Sequence, residues 1–181
     1  RLLAPVLNHA ISQLHAVAEV HNLLSRHTRE IVNVHELIQG ISRSLQPLCD
    51  FRLSLELGEN TAGLAVSSGE AVPIALVLNE LVQNARDHGY PGRPVGAIRI
   101  ILERHATEVC LKVANDGASP SMTPADARFA GMGLTLVRSL LSEKDTSFRL
   151  SRESGWTVAE VKYLRPESTF QHLEDDRQAN R

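Results

Sequence analysis

The sequence predicts an α+β domain, a two-layer sandwich with helices on one face of a mixed sheet, preceded by a long amphipathic helix. Two paired runs carry most of this. "GAIRIILER" (96–104) with "EVCLKVAND" (108–116), and "TSFRLSRES" (146–154) with "WTVAEVKYL" (156–164), are alternating or apolar stretches separated by short turns. Each pair reads as an antiparallel hairpin. Helical patterns fall between the hairpins, which places helices and a sheet in separate layers. The third observation is the N-terminal stretch, which has nothing nearby in sequence to pack on.

Residues 6–27 read as a helix, because Leu7, Ile11, Leu14, Ala18 and Leu24 recur at helical spacing without Gly or Pro. An amphipathic helix outside a sandwich often pairs with a second copy of itself. "TREIVN" (28–33) reads as a connector, and 34–48 as a second helix that Pro47 ends. "FRLSLEL" (51–57) alternates strictly and reads as a half-buried strand, and "AGLAVS" (62–67) as a short one. A long helix is expected from Ser68 or Glu70 to His88, stopped by Gly89 and the Pro91-Gly92 pair. Residues 117–131 are loop by composition, 131–144 a helix opened by glycines, and the segment after Arg165 a polar tail. The expected division is 1–33 helical, 34–165 the sandwich, and 166–181 the tail.

Composition excludes several classes. With 19 Lys and Arg against 21 Asp and Glu, the 181-residue chain has a formal charge of −2 and no basic field for nucleic acid or anionic lipid. Aromatic residues are 4%, too few for a base-stacking surface. Cys49 and Cys110 show no metal-ligand spacing, so a reduced, cytoplasmic setting is expected. No apolar run approaches the ~20 residues of a membrane span. The chain opens on "RLLAPVLNHA" without Met, so a longer protein is expected, with any membrane or sensory segment outside these residues.

The long helix raises the chemical question. In "IALVLNELVQNARDHGY" (74–90), Ile74, Leu78, Leu81, Val82 and Ala85 share a face, while Glu80, Asn84 and Asp87 lie three and four apart opposite it. A solvated stripe is the plain reading. Against it, the preceding turns are apolar all round, and Asn is a mediocre helix former. A Glu and an Asn at i, i+4 present two hard oxygens in one direction. That suits Mg²⁺, which takes one or two protein oxygens together with phosphates and water. The Glu could instead orient or deprotonate a nucleophile.

Two glycine signals follow. In "GMGLTLV" (131–137), Gly131 and Gly133 precede an apolar helix, where backbone N–H groups and the helix dipole favour phosphate. "VANDGAS" (113–119) ends a strand in Asn115, Asp116 and Gly117, a turn-favouring string. The loop between them is long enough for a lid.

Together, in this order, these stretches resemble the ATP-binding catalytic domain of sensor histidine kinases, in the GHKL superfamily with its Bergerat fold. "LVLNELVQNARDHGY" looks like the N box, in the form found where the phosphoacceptor motif is His-Arg-x-Lys-Asn. "NDG" looks like the first glycine box, "GMGLTLVRSL" like the second, and Gly155 to Thr157 like the late Gly-x-Thr. The resemblance covers roughly 35–165 and implies ATP and Mg²⁺ as cofactors. It implies Asn84 and Glu80 at the metal and the γ-phosphate, with Asp87 and His88 also at the nucleotide. Asn115 would meet the adenine, Gly117 would line the nucleotide site, Gly131, Gly133 and Leu134 would meet the phosphates, and Thr157 the base side. It further implies a homodimer through the N-terminal helix, a response-regulator receiver domain as partner, and a bacterial, cytoplasmic setting within a sensor that can be membrane-anchored.

The sequence departs from that pattern in three places. Asn115 stands where most members have the Asp that accepts from the adenine amino group, and a neutral acceptor is weaker than a charged one. A one-residue shift would make Asp116 the contact. Asp87 stands where kinases usually place Lys, with Arg86 and Arg93 as candidate compensation. No His-Arg-x-Lys-Asn motif is present. His9, His15, His21 and His27 recur every six residues and spiral around a helix, so they read as surface or packing residues, with the acceptor expected before Arg1. The leading function is an autophosphorylating histidine kinase. The rivals are a catalytically degenerate phosphotransferase or scaffold, favoured by Asp87 and Asn115, and an anti-sigma-type serine kinase, disfavoured by the N-terminal helix.

Overall fold

Alternation in the central strands sets the frame. The computed structural model describes residues 3–26, 31–46, 52–90, 96–106, 108–117 and 146–164; the expected glycine-led helix at 131–144 lies outside them, as does the tail. Strands β4 (Ala97–Arg104) and β5 (Glu108–Asn115) pair antiparallel with Ile98, Ile100 and Leu102 turned inward beside Val113 and Leu111. Strand β7 (Trp156–Leu164) follows β5, and β6 (Thr146–Glu153) closes that edge. The β6–β7 turn is two residues long with φ of 48° at Ser154 and 88° at Gly155, the backbone that a right-twisted hairpin favours. On the other edge β2 (Arg52–Leu57) runs parallel to β4. A parallel neighbour needs a crossover, and helix α3 (Ser68–Gly89) lies in it. The order is β2-β4-β5-β7-β6, a five-stranded mixed sheet with the helices on one face, the Bergerat fold.

Local chemistry starts two of the helices. Glu70 accepts from both the backbone N–H and the hydroxyl of Ser67, at 3.0 and 2.8 Å, and so anchors the entry to α3. The Asn33 side chain accepts from Glu36 N at the start of α2 (Val34–Leu45). Val34, Leu37, Ile38, Ile41 and Leu45 give α2 one buried face, which meets Ile74, Leu78 and Leu81 of α3 in the core over the sheet.

Two expectations change. "TREIVN" is not only a connector: Ile31–Asn33 forms β1, paired antiparallel with β3 (Ala65–Ser67). Three residues are too few for an alternating signature, so this strand exists through its partner. The N-terminal helix α1 (Leu3–Arg26) does not stand apart either; it packs on α2 and α3. Ala16, Val20 and Leu23, on the same side as Ser12, are buried there. The more apolar stripe points away: Leu7 is 61% exposed and Leu14 67%, with Ile11 and Val17 beside them. Among the described residues no helix is long and apolar enough to cross a membrane.

Candidate functional site

Helix α3 presents two polar edges, and they meet different neighbours. The first is Asn79, Glu80 and Gln83, all buried, facing α1. Ser12 Oγ donates to Asn79 Oδ1 at 2.5 Å, and Gln13 Nε2 to Glu80 Oε1 at 2.8 Å. His9 bridges: Nδ1 lies 2.9 Å from Gln83 Oε1 and Nε2 3.1 Å from Glu80 Oε1. Glu80 is only 1% exposed. Its Oε1 is therefore engaged by the N-terminal helix, while its buried Oε2 has no hydrogen-bond partner among the described residues.

The second edge runs to the C-terminal end of α3. Asn84 is half-buried, with Nδ2 enclosed and without a partner among the described residues. Asp87 is exposed and accepts from Arg86 Nε at 2.7 Å; an exposed pair of this kind is worth little to stability. His88 lies in the last turn, but its side chain is outside the described residues. Gly89 then lets the helix end meet β5. A Cβ at Gly89 would run into Asn115 Nδ2, and one at Gly117 into the Gly89 carbonyl. At Gly117 the obstacle is backbone, which cannot give way, whereas at Gly89 it is the Asn115 side-chain amide.

At that junction Asn115 and Thr157 are register partners on β5 and β7, and both are buried. Asn115 follows the inward parity of Leu111 and Val113. Asn115 Nδ2 and Thr157 Oγ1 have no partner among the described residues. Asp116 is exposed and engaged elsewhere, accepting from Ala97 N at 2.9 Å and from the Tyr90 hydroxyl at 2.5 Å. Burial, and then the neighbouring Asp116, push the Tyr90 hydroxyl above its usual pKa. Of the residues the sequence singled out, Glu80 and Asn84 share α3, and Asn115, Gly117 and Thr157 gather at the strand ends beside its terminus. Gly131, Gly133 and Leu134 lie outside the described residues. Sequence reasoning reads His9 as a surface or packing residue, and His9 packs against Gln83 and Glu80; it misses Ser12 and Gln13, whose partners are 67 residues away, and Tyr90. Asn79 and Gln83 carried a signal, an i, i+4 amide pair next to the Glu80–Asn84 pair.

Buried polar groups in native proteins are nearly always satisfied, so each orphan asks for a partner. Here Glu80 Oε2, Asn84 Nδ2, Asn115 Nδ2 and Thr157 Oγ1 follow α3 toward the strand ends. Among the described residues no cluster of three His, Cys, Asp or Glu side chains could hold a metal alone. A Glu and an Asn fit a cation that takes its remaining oxygens from phosphate and water, and an amide and a hydroxyl fit the edge of a purine.

A five-stranded mixed sheet under helices, with polar groups on the crossover helix and at adjacent strand ends that are unpaired among the described residues, is an architecture shared with GHKL domains. Residues 53–159 match the histidine kinase-like ATPase domain, and the chain belongs to that family. The sensor histidine kinase PdtaS of Mycobacterium tuberculosis is 29% identical over 153 residues, 82% of this chain and 30% of that protein. PdtaS of Mycolicibacterium smegmatis is 23% identical over 134 residues, 74% of this chain and 27% of the relative. The chain thus spans less than a third of the length of the curated relatives it matches. Among solved structures, the histidine kinase domain of the Erythrobacter litoralis EL346 blue-light activated histidine kinase aligns with a TM-score of 0.72 at 15% identity, over 96% of this chain and 86% of that one. Histidine kinase ThkA, solved in complex with the response regulator protein TrrA, aligns with a TM-score of 0.62 at 20% identity, over 89% of this chain and 50% of that one. At these identities the likeness is one of fold.

Proposed function

We propose that this chain is the ATP-binding part of an autophosphorylating histidine kinase of a two-component system. It would use Mg-ATP, phosphorylate a histidine outside these residues, and serve a response-regulator receiver domain from the cytoplasm. The observation that carries this is the run of buried polar atoms, unpartnered among the described residues, from Glu80 and Asn84 to Asn115 and Thr157, within a family match over 53–159. Asn84 would hold the metal through its amide oxygen and donate its N–H to a phosphate. Glu80 Oε2 would accept the proton leaving the acceptor imidazole, or join the metal. Asn115 and Thr157 would meet the base, and Gly117 would let it approach the backbone. Bound Mg²⁺ supplies charge neutralisation on the phosphates, the main need of phosphoryl transfer. The outward stripe of Leu7, Ile11, Leu14 and Val17 supports a homodimer through α1. That ThkA was solved with TrrA supports a receiver-domain partner.

One observation favours a non-catalytic scaffold instead: Glu80 is sealed beneath α1. Calorimetry with Mg-ATP separates the readings. The kinase reading expects binding by the wild-type chain that Asn84→Ala abolishes while the melting temperature is retained. Absence of binding by the wild type sinks it. Unchanged binding by Asn84→Ala shows the metal assignment wrong.

A further inference from the structure

The nucleotide reading gives no role to the residue that follows α3. Tyr90 sits where α3, β4 and β5 converge, and its hydroxyl faces two acceptors, Asp116 Oδ1 at 2.5 Å and the Ala97 carbonyl at 2.7 Å. Asp116 Oδ1 also accepts from Ala97 N at 2.9 Å, and Asp116 N donates to Ala97 O at 3.2 Å. One phenol thus ties the end of the helix to the first residue of β4 and to the residue just after β5. Its ring is wedged as well as bonded. A Cβ at Gly96 would strike Tyr90 Cε1 and Cζ, and one at Gly117 would lie 2.9 Å from Cε1.

We propose that Tyr90 is a positioning residue for the nucleobase contact, Asn115. The proposal rests on the nucleotide-binding reading and names what aims its base-side amide. Asn115 is enclosed by parts that Tyr90 holds. Its C-terminal neighbour is Asp116, the hydroxyl's acceptor. Its Nδ2 lies against Gly89, the residue before Tyr90. The buried Nδ2 makes no hydrogen bond among the described residues that would fix its direction, so the amide depends on the backbone around it. A short polar side chain aimed by a pinned strand end binds without ordering itself first, which is where preorganisation gains affinity. The same clamp explains the division of labour in Asn115-Asp116-Gly117. The charged residue is used to lock the turn, and the neutral one is turned inward.

A residue acting through Asn115 should lose its effect when Asn115 is gone. The test is a double-mutant cycle on the chain with Tyr90→Phe, Asn115→Ala and both, read by calorimetry with three probes: ATP, adenosine by competition, and Mg-tripolyphosphate. Tyr90→Phe keeps the ring and removes the hydroxyl. It should weaken ATP and adenosine by a similar factor, on the order of 5- to 10-fold, as expected for residues coupled within one network. Tripolyphosphate binding should not change, and in the Asn115→Ala background Tyr90→Phe should cost nothing further. Equal losses in both backgrounds, an equal loss for tripolyphosphate, or no loss at all would overturn the assignment. Should Tyr90→Phe not fold, the Asp116 pair makes the same comparison. Asp116→Asn keeps an acceptor oxygen and should lose far less adenosine affinity than Asp116→Ala; equal losses count against the clamp. A wild-type chain that takes up no adenine nucleotide removes the nucleotide reading itself, and Tyr90's role with it. Wild-type binding with an additive Tyr90 effect removes the Tyr90 assignment alone.

Discussion

The two halves of α1 are held to the domain by different physics. Its C-terminal half is anchored by Ala16, Val20 and Leu23, buried against α2 and α3 as part of the common core. Its N-terminal half is attached by His9, Ser12 and Gln13, each hydrogen-bonded to a buried polar side chain of α3. Among the described residues the apolar contact leaves no buried side-chain polar atom without a partner. The polar one leaves Asn79 Nδ2, Glu80 Oε2 and Gln83 Nε2 buried without partners among the described residues. A partly satisfied polar network is a weak attachment, because each orphan offsets the bonds made beside it. The anchored half therefore fixes where α1 sits, and the marginal half is the one that touches Glu80.

The comparison can be broken most strongly at the anchor. Leu23→Ala is expected to destabilise the chain by about 2–4 kcal/mol, the range for a buried leucine lost to a cavity, read as a shift in the urea midpoint. It should also release the amides of the whole helix to hydrogen exchange. Gln13→Ala should cost less, about 1–3 kcal/mol, because it strips a donor from a buried carboxylate. Exchange should then accelerate only in the first half of α1; acceleration spread evenly over both halves would show that the halves do not differ. Ser12→Ala alone should cost roughly 1 kcal/mol by leaving Asn79 Oδ1 unpaired, whereas Ser12→Ala with Asn79→Leu should return close to wild-type stability, since removing both partners also removes the desolvation penalty. A double variant worse than the single one would mean the seam is stronger than its orphans imply.

The smallest effect is a pH dependence outside the seam. Burial holds the His35 imidazole below its ordinary pKa of 6.5, with Nε2 on Thr61 Oγ1 at 2.5 Å. The unfolded chain takes up this proton at a higher pH than the folded one. The contribution is therefore complete above the unfolded pKa and is lost as pH falls from there toward the folded value. Denaturation stability measured across that window should decline less steeply in His35→Gln than in the wild type; parallel curves would show that His35 is not the group responsible.

Much of the architecture was legible because it is written in local periodicity. The alternation of 97–104 and 108–115 specified the central hairpin, and the parity of β5 already turned Asn115 to the same side as Leu111 and Val113. The start of α3 was legible to within a residue or two, since Ser67 and Glu70 cap it locally. Strand β1 was not, because a three-residue strand has no period of its own and is made by Ala65–Ser67. Nor was the neighbour that buries Glu80. The wheel separated it from the apolar face and grouped it with Asn84 and Asp87, yet one of the three meets α1, one is half-buried beside the helix end, and one is exposed.

Taken by itself, the sequence determined the class of fold, the helix that carries the polar residues, and the order of the boxes that resemble a nucleotide site. Those depend on side-chain period, capping and turn chemistry, all encoded within a few residues. Tertiary structure alone decided which side of each polar residue faces what. It laid the less apolar stripe of α1 on α3 and turned the greasier one outward, and it wedged Tyr90 between two glycines that lie six and 27 positions further along the chain. The physical reason is that such contacts are chosen by the packing of the whole core, and no local pattern contains the distance between residues so far apart.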